Sequence, residues 1–264
     1  MSYLVFAALL LTSSAIAATT ESGAWQILTQ GAAEESAAKR AQAVSAIGSI
    51  QMARAAKLMD TALSDKDSRV RFAAVSSLAD RKSRSAIPQL KKALDDEAGE
   101  VSFTAAQALW ALGDRSGRQL LAELLAGERK EAPGFLKKSV KDAKSTLHNR
   151  KALVWMGAKE GAGFLFGPLG YGLDVVEGMT KDSAAPARAL SASLLGQEKT
   201  SEVIEALTDA LDDKSPLVRI AAARALGGLA NRSLIAKIEP LLEDKQDGVR
   251  YMAAASIVRL SQAK

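Results

Sequence analysis

The sequence predicts an all-α fold, an α-solenoid of about seven helical hairpins with a 31-residue period. Three observations carry that prediction. The chain repeats itself at a fixed spacing, each copy shows the apolar stripe of a helix twice, and the composition suits helices packed through small side chains.

The period emerges when the chain is laid against itself. Arg40, Arg71 and Ser102 stand 31 residues apart, and so do Arg188, Arg219 and Arg250. Six positions before each anchor is an acid: Glu34, Asp65, Asp96, Asp182, Asp213 and Asp244. Three positions after each is a small residue: Ala43, Ala74, Ala105, Ser191, Ala222 and Ala253. Seven after is a branched aliphatic: Ile47, Leu78, Leu109, Leu195, Leu226 and Ile257. Columns held in phase over so many copies define a structural repeat.

Within a copy, Val70, Ala74, Val75 and Leu78 lie on one stripe of a helix that contains the anchor. A second stripe precedes the acid, as in Ile87, Leu90 and Leu94, or Ile204, Leu207 and Leu211. The polar segment between the stripes opens the second helix. Asp and Ser there supply caps, and Pro216 fits a first helical turn. Neither helix buries its stripe alone, so the hairpins must stack. The expected helix pairs are 21–32/35–48, 52–63/67–80, 84–94/98–112, 117–126/132–158, 169–180/183–196, 200–211/215–229 and 232–242/246–262, in one right-handed superhelix.

Composition agrees with this reading and excludes several chemistries. Hydrophobic residues make up 48% but aromatics only 5%, so Ala and Leu carry the apolar surface. A net charge of +5 with acids and bases interspersed argues against a nucleic-acid reader. The small basic cluster Arg81-Lys82-Ser83-Arg84 reads as solvated surface. Cysteine is absent, which excludes disulfides, thiol nucleophiles and Cys-built zinc sites. The single histidine, His148, falls between Leu147 and Asn149 and reads as a surface residue. No Cys–His pair and no multi-His metal site can be assembled. No catalytic residue, metal ligand or cofactor is therefore assigned, and the chain is expected not to be an enzyme, with lyase-like activity left open.

Residues 3–11 are apolar and lead through Thr12, Ser13 and Ser14 to Ala15-Ile16-Ala17, the small-residue pattern of leader cleavage. Residues 1–17 are accordingly expected to be a signal peptide and 18–264 a single solenoid. No Lys or Arg precedes the apolar run, a departure from the usual pattern. Export to the periplasm or the medium is expected, with membrane anchoring by an uncleaved leader as the alternative.

Asp65-Lys66-Asp67-Ser68-Arg69-Val70-Arg71-Phe72-Ala73-Ala74 and Asp213-Lys214-Ser215-Pro216-Leu217-Val218-Arg219-Ile220-Ala221-Ala222 resemble HEAT repeats, and most closely the short variety of the phycobilisome lyases. The resemblance covers about residues 21–114 and 170–262. It implies a structural ladder between neighbouring repeats built from Asp65, Arg71, Asp182, Arg188, Asp213, Arg219, Asp244 and Arg250. A competing reading makes the arginines an anion-binding stripe, but it does not account for the matched column of acids. HEAT-like enzymes that hydroxylate a lysine derivative carry paired His-Glu motifs on iron, and this sequence has none.

The period is interrupted once. Asp96 and Asp182 are 86 residues apart, two periods plus 24, and the excess falls within about 127–169. Leu136, Val140, Ala143, Leu147 and Val154 continue at helical spacing after Pro133, which predicts one long helix over 132–158. A segment rich in Gly and aromatics follows, from Gly161 to Gly172, in which Gly167-Pro168-Leu169-Gly170 breaks the helix. Trp155, Phe164, Phe166 and Tyr171 are the candidate partner-binding residues, and peripheral membrane contact through 161–172 is a further reading. The same segment could instead fold onto the solenoid and fill a gap. The function that follows is an exported, monomeric scaffold or adaptor binding a protein or peptide. The alternative is an accessory factor or lyase-like protein acting on a cofactor or pigment attached to a partner protein.

Overall fold

In a computed structural model of the chain the described residues are 20–126, 182 and 184–263. All regular elements among them are helical. The first hairpin pairs α1 (20–32) with α2 (Ala37–Ile47), and the second pairs α3 (Ala53–Ala62) with α4 (Ser68–Asp80). The third pairs α5 (Ile87–Lys92), extended by 3-10 turns at both ends, with α6 (Gly99–Ala111). Helix α7 (Arg118–Ala126) opens the fourth hairpin and α8 (Ala185–Leu195) closes the fifth. The sixth pairs α9 (Ser201–Asp209) with α10 (Pro216–Gly228), and the seventh pairs α11 (Ile235–Ile238) with α12 (Asp247–Ser261). The leader, the long helix over 132–158 and the rest of 127–181 lie outside the described residues.

Local chemistry sets the helix ends. The Asp67 carboxylate accepts from the Arg69 amide, Thr200 Oγ1 from Val203, and Asn231 Oδ1 from Ser233. The expected continuous helix over 232–242 is instead a short α11 between the 3-10 turns Arg232–Leu234 and Glu239–Glu243. Pro240 lies in the first turn of the second of these and lacks the amide that a continued α-helix needs.

The second helices of the hairpins pack side by side into one layer. Helix α8 lies against α10 and α10 against α12, while α2 lies against α4 and α4 against α6. The two runs are joined where α12 packs on α2. Hairpins therefore follow one another in space as five, six, seven, one, two, three, and the order of stacking is not the order of the chain. The hydrophobic core is continuous through this joint. Tyr251 of α12 is buried against α1, where a Cβ at Gly31 would overlap its ring. Thr20 Oγ1 donates to Glu239 at 2.9 Å and Gln262 Nε2 to Glu21 at 3.1 Å, tying both edges of the joint. Helix α12 is buried from Tyr251 through Val258, as expected of a helix at the middle of a stack.

The second helices approach closely because a glycine eight positions after one anchor meets a small residue six after the next. Gly48 meets Ser77, Gly196 meets Ala225, and Gly227 meets Ser256. A Cβ on Gly227 would come within 2.8 Å of the Ser256 Cα, which is backbone and has no room to give. At the joint the equivalent position is Val258, which is fully buried.

Candidate functional site

The acid and arginine columns meet across hairpins. Arg40 Nε and Nη2 donate to the two oxygens of Asp65, both at 2.8 Å. Arg71 makes the same pair of bonds to Asp96 at 2.7 and 2.9 Å, and Arg188 to Asp213 at 2.8 and 2.8 Å. Arg219 binds Asp244 at 2.8 and 2.9 Å. Each rung spans 25 residues and links one hairpin to the next. The remaining guanidinium nitrogen turns back to its own hairpin: Arg71 Nη1 donates to the Asp65 carbonyl at 2.9 Å, and Arg219 Nη1 to the Asp213 carbonyl at 2.8 Å. Each acid also accepts from the amide two residues on, as Asp213 does from Ser215 at 2.8 Å. One arginine thus closes its own interhelix turn and grips the next, and the six-residue spacing between acid and anchor is the spacing this double grip requires.

The rungs are shielded from water. The side chains of Arg40, Arg71 and Arg219 are 8, 10 and 7% exposed, whereas Arg188 is 35% exposed and also reaches the Asp182 carboxylate at 2.8 Å. The Arg40 guanidinium holds the Asp65 carboxyl below the usual carboxylate range, and Arg188 does the same for Asp213. Burial pushes Asp244 up, but Arg219 and the Gln246 amide outweigh it and leave the carboxyl lowered.

The ladder ends where the sequence withholds a partner. Ser102 occupies the third anchor, and 25 residues beyond it is Gly127. Arg250, the last anchor, donates to the Asp244 carbonyl and to the Asp247 carboxylate within its own hairpin. Across the joint the rung is replaced by Lys39, whose ammonium lies 3.4 Å from Asp247 and 3.9 Å from Glu34.

Trp155, Phe164, Phe166, Tyr171 and His148 lie outside the described residues. Among those described, Trp110 is 47% exposed with the Arg115 guanidinium 3.9 Å over its ring, and Leu125 is also exposed. No group of three or more His, Cys, Asp or Glu is placed to hold a metal ion, and no helix is long and apolar enough to cross a membrane, among the described residues.

One member of the basic cluster departs from its expected solvated state. Arg81 is half-buried and donates to the carbonyls of Gly48 at 3.0 Å and Ile50 at 2.8 Å, closing the end of α2. It shares a cavity with Arg224, Arg259 and Asp80 at the joint. Sequence reasoning missed this group because its members stand ten, five, nine and nine positions after their anchors and form no column.

The family model for HEAT repeats matches residues 26–110 and 173–259. The chain belongs to the HEAT-repeat family. That match is to HEAT repeats in general, and the finer likeness to the phycobilisome-lyase variety is not shown by it. Among solved structures the chain is similar to human deoxyhypusine hydroxylase in complex with glycerol, at 20% identity and a TM-score of 0.37, over 92% of this chain and 97% of that one. Comparison with curated proteins finds no match. The expectation that this HEAT protein is not an enzyme is therefore withdrawn, and its enzyme status stands open. A likeness of that strength carries no activity to this chain, and the fold alone does not separate binder from catalyst.

Proposed function

We propose that this HEAT-repeat chain is an exported scaffold that holds a protein or peptide partner on its solenoid surface. HEAT repeats commonly serve as protein-interaction scaffolds. The observation that carries the reading is the ladder of buried, doubly bonded rungs, which fixes neighbouring hairpins in one geometry. A surface held in place before a partner arrives loses little freedom on binding, and that favours affinity. The continuous core across the joint supports 18–264 acting as one unit, and the leader pattern in 1–17 supports export. Trp155, Phe164, Phe166 and Tyr171 supply the aromatic anchors of the partner surface, since such side chains dominate binding hot spots.

The test is a pull-down with the tagged full chain from the exported fraction. It is run beside a variant in which residues 160–169 are replaced by a Gly-Ser linker. The proposal expects one protein recovered in constant ratio by the wild type and lost by the variant, with the melting temperature unchanged. Equal recovery by both proteins, or a chain that is found only inside the cell, contradicts it.

A further inference from the structure

A cavity of about 160 Å³ lies at the joint, walled by the ends of four second helices. Helix α2 contributes Ser45 and the following Gly48, α4 contributes Ser77 and Asp80 with Arg81 just beyond, α10 contributes Arg224, and α12 contributes Arg259. Three guanidiniums therefore face one carboxylate among the described residues. In the ladder every arginine that bridges two hairpins finds an aspartate, and here the bookkeeping is different. Arg81 donates to two carbonyl oxygens, and Arg259 Nη1 donates to the Arg224 carbonyl at 3.5 Å. Neither has a carboxylate partner among the described residues. Burial lowers the pKa of both, and for Arg259 the neighbouring charge of Arg224 adds to the effect.

Asp80 does not balance them. It makes no ion pair among the described residues. The surrounding walls push its carboxyl up to about 6 against the pull of Arg224 and Lys82, although the residue stays accessible at the cavity mouth. The charged groups around it are Arg81 and Lys82 beyond the end of its own helix, Arg224 on α10 and Arg259 on α12, and α2 adds no charge to the lining. A guanidinium keeps its proton throughout the physiological range, so a half-buried excess of guanidinium charge is relieved by an anion and not by deprotonation. The planar fork of Arg also suits an oxyanion better than a chloride.

We propose that this cavity binds a small oxyanion, gripped by Arg259 with Arg81 and Arg224 as flanking positive charge and the Ser77 hydroxyl as a further donor. The shared chemistry is two or more oxygens carrying negative charge, presented either by a free inorganic anion or by an acidic side chain of a docked segment. The site is assembled from hairpins six, seven, one and two and exists only because the last hairpin stacks on the first.

Calorimetric titration of the full chain with sodium sulfate, at constant ionic strength against chloride, tests it. Sulfate keeps its charge from pH 5 to 8, so any pH dependence belongs to the protein. Saturable sulfate binding is expected, weakened on the order of tenfold or more in Arg259→Gln, as befits loss of a charge-assisted fork. Binding should be tighter at pH 5 than at pH 7.5, and Asp80→Asn should bind tightly at both. Asp80 lacks a hydrogen-bond partner among the described residues, so this second variant is expected to fold. A parallel titration with a short Glu-rich peptide separates the two sources, the tighter ligand naming the one in use. Absence of saturable binding by either ligand, or equal binding by wild type and Arg259→Gln, overturns the proposal.

Discussion

Arg219 grips Asp244, 25 residues on in the next hairpin, through two parallel bonds of 2.8 and 2.9 Å, while its third nitrogen closes the turn of its own hairpin at the Asp213 carbonyl. Both side chains are less than 10% exposed. Removing the guanidinium leaves the Asp244 carboxylate buried and uncompensated, which is the costly half of breaking such a pair. Arg219→Ala should therefore destabilise by roughly 3 kcal/mol or more. Arg188→Ala, at a rung that is one-third exposed, should cost less, since solvent screens it. Urea denaturation of the two variants checks the ranking. The reverse order would remove burial as the source of the effect.

Protonation acts on the chain in two opposite directions. Asp65 and Asp213 are held low by their ladder arginines, and the Arg69 guanidinium holds Asp67 at about 2. A carboxyl depressed in the folded state contributes stability above its unfolded value of about 3.9, and loses it as pH falls through the folded value. Asp80, raised to about 6, has the opposite sign. Its folded form takes up a proton first, so stability rises as pH falls from about 6 towards 4. The melting temperature should pass through a maximum near pH 4 to 5 and collapse below it. Asp80→Asn should flatten the limb above the maximum and leave the acid limb in place. Superimposable profiles for the two proteins would remove Asp80 from the account.

Backbone geometry gives a third expectation. Lys82, Gly113 and Ala230 each stand eleven positions after an anchor and each has positive φ, at 47, 82 and 54°. The column is a left-handed helix terminus, and only one copy fills it with glycine. Ala230→Gly should stabilise by up to about 1 kcal/mol, because the native conformation is one that glycine adopts without strain. Thermal denaturation reads this directly, and a loss of stability would contradict it.

The packing of α10 on α12 provides the converse case. Gly227→Ala forces a methyl against the Ser256 Cα and should cost roughly 1–3 kcal/mol of overpacking. Ser256 Oγ is buried without a hydrogen-bond partner among the described residues. Its removal in Ser256→Ala should leave stability unchanged or raised, since no bond is lost and a desolvated hydroxyl is removed. A drop of more than about 1 kcal/mol in Ser256→Ala would reveal a bond worth keeping.

What the sequence disclosed follows from how far each interaction reaches. The acid and arginine columns were legible because Asp65, Arg71 and their counterparts act within one repeat or with the next, so each copy repeats the same spacing. The seventh hairpin stacking on the first was not legible, because every copy presents the same kind of face and periodicity does not say which copies meet. One local trace of the joint does exist. The position before the anchor is Val70, Val101, Val218 and Val249 in four copies but Lys39 in the first, where the ammonium reaches Asp247. The arginines of the joint cavity left no trace at all, since they come from three different places in the period.

The stacking of the last hairpin on the first holds this account together, and cysteine chemistry tests it on a clean background because the natural chain has no cysteine. Gln262 is exposed and Glu21 half-buried, and the two are hydrogen-bonded to each other across the joint at 3.1 Å. In a stack that followed chain order they would stand at opposite ends. Glu21→Cys combined with Gln262→Cys, treated with a short thiol-specific cross-linker at low protein concentration, should give a linked monomer in high yield. A chain that stays unlinked, or that links only to a second molecule, would contradict the joint and everything built on it.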